Sequence, residues 1–327
     1  MPDVIGPEPL TGPDLLARQA VLDRASRVLR PPGALARLDE VAAWLGSWQR
    51  TDTPAIHHPM LLVAAGDHGV ARRGVSAFDP LVTKAMVDAI RAGVATSSVM
   101  AASVGAGLRL VDAGVGAPTG DITVEPALDA DRFEELWALG RDTVADMTVD
   151  LLVLGEMGIG NTTAASAVSS TLCGGPVENW VGPGTGIDPE TWDRKTEAVE
   201  RARARATGAD PIEVLRLVGG SEMVVLAGAC HEARLRSIPV ILDGFVVTAA
   251  VAPLAFERPN FLDHCLAGHR SPEPGHGRLL DRLGLRPLLD VEMRLGEGTG
   301  ALAALPLLKL AAAAVVDVAT FEEWGLR

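Results

Sequence analysis

Four short runs of consecutive apolar residues occur along the chain, and each run ends in glycine and polar residues. They are MLLVAAGDHG (60–69), LRLVDAGVG (108–116), DLLVLGEMGIG (150–160) and IPVILDGF (238–245). Continuous apolar runs of this length are typical of strands that are buried on both faces of a parallel sheet. Stretches with helical spacing lie between them, such as 161–172. The pattern therefore predicts an α/β fold with a parallel sheet flanked by helices.

Both ends of the chain also carry apolar residues at helical spacing. Residues 13–48 indicate two helices separated by the PPG of residues 31–33, and residues 299–320 form a longer apolar stretch. Because Pro306 and Asp317 interrupt this last stretch, it is more typical of a buried core helix than of a membrane span.

These patterns predict a division of the chain into two domains. We expect a large α/β domain over residues 50–300, with a Rossmann-like three-layer arrangement, and a small helical domain made of residues 1–49 plus 301–327. Two segments that are rich in proline and polar residues, 118–132 and 254–278, are expected to be excursions on the surface.

Charge and cysteine content restrict the class of partner. The net charge of the 327-residue chain is -13, which disfavours nucleic acid and anionic membranes as partners. A phosphate site would have to be built locally, from backbone amides and a few cations. Three cysteines without a CxxC spacing predict a reducing compartment. The acidic, proline-containing start lacks the pattern of a signal peptide, so we expect a cytoplasmic protein.

Two glycine-rich segments are candidate anion sites. In GEMGIGNTTAASA (155–167) a strand ends in a glycine turn, and Asn161 opens a helix whose free amides could bind an anion. The loop VGPGTGID (181–188) could do the same, with Lys195 as a cation nearby. Neither segment is a Walker loop or a GxGxxG motif. Ordinary turns and a solvated surface lysine are the alternatives.

Polar residues elsewhere allow two interpretations. Asp67 and His68 follow the first apolar run, where α/β enzymes place functional side chains, yet a capping aspartate and a structural histidine would give the same pattern. His269 and His276 in GHRSPEPGHG lack a metal-binding spacing with nearby Cys or Asp.

One carboxylate stands between two glycines in RLGEGTG (294–300), immediately before the long apolar run. Removal of water from a carboxyl group raises its pKa and makes it a better proton acceptor, so Glu297 is a candidate general base. Alternatively, Glu297 caps the helix that starts near Thr299.

Taken together, the motifs resemble one family. They are RPPGALARLDEVAAWL (30–45), GDHGV (66–70), GVSAF (74–78), GEMGIGNTTAASA, GPGTGID, GHRSPEPGH, RLGEGTGA and ATFEEWGL (319–326), in this order over nearly the whole chain. The chain resembles the nicotinate mononucleotide–dimethylbenzimidazole phosphoribosyltransferases, chiefly through GEMGIGNTT and LGEGTGA.

This resemblance implies an activity and a set of site residues. The reaction would transfer phosphoribose from nicotinate mononucleotide to 5,6-dimethylbenzimidazole or a related base, releasing nicotinate and inverting C1′ to give α-ribazole 5′-phosphate. It implies a homodimer and no metal or organic cofactor. Glu297 would be the general base, and Glu156 the second catalytic carboxylate. The implied substrate-binding residues are Gly158, Gly160, Asn161, Thr162, Thr163, Gly182, Gly184, Thr185, Gly186, Lys195, Ser76, Ala85, Asp67 and Gly296.

One departure from the family leaves other functions open. Ala85 stands where the family commonly has glutamine near the base, so the accepted base could be a different benzimidazole, a purine or a phenol. The alternatives are a non-catalytic paralogue that binds nucleotide or azole, one subunit of a hetero-oligomeric transferase that uses another base, and an enzyme that transfers or hydrolyses a different glycosyl group.

Overall fold

The computed structural model describes residues 4–6, 9–184 and 186–326. The strands are Pro59–Gly66 (β1), Gly107–Gly114 (β2), Leu151–Met157 (β3), Val240–Leu242 (β4) and Cys265–Ala267 (β5). The α-helices are Leu15–Ala25 (α1), Ala36–Gln49 (α2), Leu81–Arg91 (α3), Thr96–Val104 (α4), Ala130–Ala145 (α5), Asn161–Cys173 (α6), Pro189–Ala206 (α7), Pro211–Val218 (α8), Ser221–Leu235 (α9), Phe245–Glu257 (α10), Pro274–Leu283 (α11) and Thr299–Val316 (α12).

The strands form one sheet in the order β2-β1-β3-β4-β5, and every pair is parallel. All four apolar runs of the sequence are strands of this sheet, which confirms the predicted fold class. The fifth strand, β5, lies within 254–278, and the expectation of a surface excursion there is wrong. Phe261 and Cys265 of this segment are buried because β5 completes the sheet beside β4. A run of only three apolar residues is too short to be recognised from sequence.

Two hydrophobic cores, one on each face of the sheet, make the fold three-layered. Leu62 and Leu154 point into the core that is formed with helices α5 to α10. Leu61 and Val153, one position earlier in each strand, point into the core that is formed with α1, α2 and α12. Successive side chains of a strand face opposite sides, so a strand that is covered on both faces must be apolar at every position.

The two ends of the chain pack against each other. Val28 and Thr320 form an isolated antiparallel bridge, and the guanidinium Nε of Arg24 donates to the carbonyl oxygen of Val315 at 2.9 Å. Helix α12 also packs against α2, α4 and β3. Because these terminal helices share a core with Leu61 and Val153, they cover one face of the sheet. Their division from residues 50–300 as a separate domain stays a prediction.

Helix α12 is long and apolar enough to cross a membrane by length and composition, alone among the helices of the described residues. Leu302, Leu305 and Leu308 on this helix are fully buried in the core beneath the sheet. Its composition is therefore explained by packing within the protein.

Candidate active site

A cavity of about 300 Å³ lies beyond the carboxyl ends of β3, β4 and β5. In sheets with this strand order, the connections from β1 and β3 leave in opposite directions, and ligands bind in the crevice outside the strand ends. The walls include apolar side chains from α3 and α10 as well as three carboxylates, those of Glu156, Glu273 and Glu297. The lining residues used below are Phe78, Val82, Met86, Glu156, His269, Leu295 and Glu297.

Glu297 reaches this cavity because its backbone adopts a left-handed conformation. Its φ is 58°, between Gly296 at 90° and Gly298 at 81°, and its N–H donates to the carbonyl oxygen of Glu156 at 3.0 Å. A left-handed conformation is uncommon for a residue with a side chain and costs about 1 kcal/mol. The turn directs the buried carboxylate inward, beside the end of β3.

Ser97 holds the Glu297 carboxylate in place. The Ser97 hydroxyl donates to Glu297 Oε2 at 2.7 Å, and the Ser97 backbone N–H donates to the same oxygen at 3.4 Å. Ser97 lies in the first turn of α4, where the helix dipole favours a negative charge. Both side chains are buried, so water does not compete for these hydrogen bonds.

The start of α12 is capped by Asp243, which follows β4. Asp243 accepts from the N–H of Gly298 and from the N–H of Ala301, each at 3.0 Å. His269 Nε2 lies 3.5 Å from the Asp243 carboxylate. The alternative interpretation of Glu297 as the cap of this helix is therefore wrong, because Asp243 fulfils that role and Glu297 faces the cavity.

Glu156 is the second carboxylate of the cavity. Its Oε2 accepts a hydrogen bond from the side-chain amide of Asn161, the first residue of α6. Burial, and then the negative charges of Asp243, Glu222 and Glu297, raise the pKa of Glu156 well above its ordinary value. Burial among other carboxylates therefore favours the protonated form of Glu156, and a cationic group entering the cavity would favour the ionised form.

Close backbone contacts fix the distance between the two carboxylates. A side chain at Gly155 would place its Cβ 2.5 Å from the Gly298 nitrogen, and a side chain at Gly296 would place its Cβ 2.6 Å from Glu156 Oε1. A residue with a side chain does not fit at either position. The two glycines therefore allow β3 and the turn at Glu297 to come into contact.

A smaller hollow of about 40 Å³ shares the wall formed by Gly158, Asn161 and Thr162 with the main cavity. Lys195 lines this hollow and is buried, and its Nζ donates to Thr162 Oγ1 at 3.0 Å and to the carbonyl oxygen of Gly182 at 2.9 Å. Burial lowers the pKa of Lys195 to about 8, although the nearby Glu273 carboxylate opposes the shift. The hollow thus offers one buried cation beside the N-terminus of α6.

Both glycine-rich segments that the sequence marked as candidate anion sites border the hollow. Their glycines have different roles there. Gly160, with φ 98°, precedes α6, and no side chain caps that helix. Gly184 donates its N–H to Glu273 at 2.8 Å, and Gly186 donates to the Pro183 carbonyl at 2.9 Å. Thr163 points away from the hollow into the core.

Thr185 lies outside the described residues. Gly182 is packed against Glu273, with no room for a side chain. Ser76 lines the hollow, where its hydroxyl accepts from the Phe78 N–H at 3.2 Å.

Ala85 and Asp67, which were also predicted to bind substrate, line neither the main cavity nor the hollow. Ala85 is exposed on α3, and Val82 and Met86 are the lining residues from that helix. Asp67 lines a separate cavity and accepts from the Gly116 N–H at 2.7 Å. The roles of Ala85 and Asp67 in binding stay predictions.

The chain matches a family with known members. A sequence model described as phosphoribosyltransferase matches residues 10–326. The chain belongs to this phosphoribosyltransferase family. The resemblance inferred from the motifs is confirmed, and so is the expectation of an enzyme.

Relatives of this phosphoribosyltransferase share nearly its whole length. It is similar to the nicotinate-nucleotide–dimethylbenzimidazole phosphoribosyltransferase of Brucella anthropi, with 46% identity over 97% of this chain and 94% of that protein. It is also similar to the enzyme of the same name from Allorhizobium ampelinum, with 47% identity over 97% and 93%. The crystal structure of CobT from Thermus thermophilus superposes with a TM-score of 0.91 at 39% identity, covering 95% of this chain and 99% of that one.

Sequence reasoning missed several residues of the phosphoribosyltransferase site. Asp243 directly follows an apolar run, as Asp67 does. The expectation that functional side chains follow such runs could therefore have identified it. No local pattern marks Ser97, which is 200 positions from its partner Glu297.

His276 is a core residue, since its Nδ1 accepts from the Ser271 N–H at 3.0 Å and burial lowers its pKa to about 3.

Proposed function

We propose that this phosphoribosyltransferase transfers phosphoribose from nicotinate mononucleotide to 5,6-dimethylbenzimidazole or a related base. The products would be α-ribazole 5′-phosphate and nicotinate, with inversion at C1′. The observation that carries this proposal is the pairing of two buried carboxylates, Glu156 and Glu297, in one apolar-walled cavity that adjoins a lysine-lined hollow. The names of the two relatives support the choice of substrates.

Glu297 is the general base in this proposal. The attacking azole is neutral, so it must lose its N–H proton as its other nitrogen bonds to C1′. Ser97 holds Oε2, while Oε1 has no hydrogen-bond partner among the described residues and is available to the azole N–H. A base that is fixed by a buried hydrogen bond needs no reorientation before it accepts the proton.

Glu156 acts at the ribose. The nicotinate ring of the mononucleotide is a pyridinium, so it departs as a neutral ring without help from an acid. Positive charge develops at C1′ in the transition state, and a nearby carboxylate stabilises it. The cationic pyridinium ring of the substrate favours ionisation of Glu156, and the Asn161 amide keeps the carboxylate oriented.

The 5′-phosphate occupies the small hollow. Lys195 supplies the buried positive charge there, and the uncapped start of α6 at Asn161 supplies backbone N–H groups. A bound phosphate dianion would favour the protonated form of Lys195 over the neutral one. In this proposal C1′ lies between the hollow and Glu297, where the two substrates meet.

The flat aromatic base lies against the apolar wall of the cavity. Phe78, Val82, Met86 and Leu295 form this wall, and Phe78 and Leu295 are 49% and 54% exposed. Leu81, the first residue of α3, is 77% exposed. We infer that a second copy of the chain covers this surface in a homodimer and closes the site, which would also bring Ala85 near the base.

The test is a direct assay in which the protein is mixed with nicotinate mononucleotide and a panel of bases that includes 5,6-dimethylbenzimidazole. We expect nicotinate release that depends on the base, and a product with α configuration by NMR. Nicotinate release without any base would instead show a hydrolase. Binding of both substrates without release would show a non-catalytic paralogue.

The reducing environment suggested by three free cysteines supports a cytoplasmic location.

A further inference from the structure

A second cluster of reactive side chains lies away from the active site. Cys230 of α9, His264 and Cys265, the first residue of β5, are all buried. Because the cavity opens beyond the carboxyl ends of the parallel strands and Cys265 begins one, the cluster lies at the opposite end of the sheet. It plays no part in the proposed phosphoribosyl transfer.

The three ligand atoms of this cluster form a nearly equilateral triangle. The two sulfurs are 3.7 Å apart, and His264 Nε2 lies 3.7 Å from the Cys230 sulfur and 3.7 Å from the Cys265 sulfur. Two sulfurs bound to one tetrahedral zinc ion are about 3.8 Å apart, and a sulfur and an imidazole nitrogen about 3.6 Å. The triangle therefore has the size of three ligand positions around a single thiophilic cation.

The charges around the cluster favour bound thiolates. The Arg234 guanidinium is buried, its Nε and Nη1 lack hydrogen-bond partners among the described residues, and its positive charge is attracted first by the Asp263 carboxylate and then by both sulfurs. A buried cation needs a compensating negative charge. Two thiolates with one monovalent cation leave a net charge of about -1, which Arg234 offsets in part because it also faces the Asp263 carboxylate. Two thiolates with a divalent cation are neutral and leave Arg234 stacked on Trp48, 4.5 Å from the ring centre.

We propose that Cys230, His264 and Cys265 bind one closed-shell thiophilic metal ion, either Cu⁺ or Zn²⁺, as a structural site. Binding releases the two thiol protons and requires the His264 tautomer that carries its proton on Nδ1, so the contact between His264 Nε2 and the Cys230 carbonyl oxygen, now 3.1 Å long, is replaced. Soft thiolate ligands select Cu⁺ and Zn²⁺ over harder cations. The ion would link α9 to β5 beneath Trp48, whose ring stacks edge-on at 5.7 Å from His264.

The experiment measures metal content in the full-length protein. The chain is purified without chelator and is also refolded from denaturant with a reductant and either ZnCl₂ or a Cu⁺ salt, since the buried ligands are reached most easily during folding. After desalting, we expect about one metal ion per chain by plasma mass spectrometry. The metal that survives a challenge with a competing chelator identifies the preferred cation.

Matched serine variants decide whether these residues are the ligands. Cys230→Ser and Cys265→Ser should each retain less than about 0.1 ion per chain, whereas Cys173→Ser, which alters the cysteine outside the cluster, should bind as the unmodified chain does. Metal should also raise the midpoint of thermal unfolding by about 2 °C or more in the unmodified chain and in Cys173→Ser.

Three results would overturn the proposal, and two of them need no variant. The first is a folded, reduced, unmodified chain that binds less than about 0.1 ion of either metal. The second is unchanged metal content in both cluster variants. The third is a disulfide between Cys230 and Cys265 in the isolated protein, detected as the loss of two titratable thiols. Nicotinate release is a separate readout, so none of these results bears on the proposed transfer reaction.

Discussion

The carboxylate of Glu297 accepts hydrogen bonds from the hydroxyl and the backbone N–H of Ser97, 200 positions away in the sequence. This contact joins the turn before α12 to the first turn of α4. It fixes one carboxylate oxygen and leaves the other facing the cavity. The geometry of the proposed base therefore depends on a residue that no motif contains.

Replacement of Glu297 by glutamine should abolish most of the turnover while the protein still folds and binds nucleotide. Glutamine keeps the shape but cannot accept the azole proton, and loss of a general base lowers kcat by about 100-fold or more. The measurement is nicotinate release under saturating substrates. Glu190→Gln, a change of an acid that is 91% exposed, is the matched control and should leave kcat unchanged. Near-normal turnover of Glu297→Gln would remove this residue from the mechanism.

Replacement of Ser97 by alanine should impair positioning of the base without removing it. We expect kcat to fall by about 10-fold, because one charge-assisted hydrogen bond is lost, and the acid limb of the pH–rate profile to move to higher pH. Ser98→Ala is the control, since that hydroxyl donates to the Ile90 carbonyl at 3.1 Å and does not reach the site. A lower kcat with an unmoved pH profile would mean that Ser97 acts only through the packing of α4.

Nucleotide binding should weaken at alkaline pH because of Lys195. Its pKa of about 8 means that the free enzyme loses this positive charge as the pH rises above 8. The KM for nicotinate mononucleotide should therefore increase about tenfold per pH unit above that value, while the KM for the base stays nearly constant. Lys195→Met should raise the KM for the nucleotide at pH 7 and remove the pH dependence. An effect confined to the KM of the base would place Lys195 elsewhere in the site.

The buried His276 should make the protein sensitive to acid. Its pKa is about 3 in the folded state and about 6.5 when unfolded, so below pH 6.5 the unfolded chain binds a proton that the folded chain does not. This difference lowers the free energy of unfolding by about 2 kcal/mol between pH 7 and pH 5.

In His276→Gln, denaturant unfolding at several pH values should therefore show a shallower decline of stability below pH 6.5. His58→Gln, which alters an exposed histidine, should follow the unmodified protein. Parallel curves for His276→Gln and the unmodified chain would show that His276 is protonated in the folded state.

The sheet and much of the site could be predicted because both follow local rules. A parallel strand that is covered on both faces has to be apolar throughout, and its carboxyl end carries the polar residues, as at Glu156. Helix α6 could be located because glycines precede Asn161. Short elements escape this reasoning: β5 consists of only three residues, and its place in the sheet is set by pairing with β4.

Contacts between distant segments account for the rest. Nothing near Ser97 or Lys195 in sequence indicates that one holds a carboxylate and the other is buried. Their environments depend on how α4 and α7 dock on the sheet, which is a property of the whole fold. The Glu297 motif was open to two interpretations for the same reason; the capping role of Asp243 excludes one of them, and the role of general base stays a proposal.

The tight contact between Gly155 and the Gly298 nitrogen has a consequence for altering which base is accepted. The carboxylate side of the cavity has no space for new side chains, since growth at Gly155 or Gly296 collides with backbone or with Glu156. The wall formed by Val82 and Met86 belongs to a helix whose outer surface is exposed. Libraries of variants that aim at accepting a different base should therefore vary this wall and leave the glycines untouched.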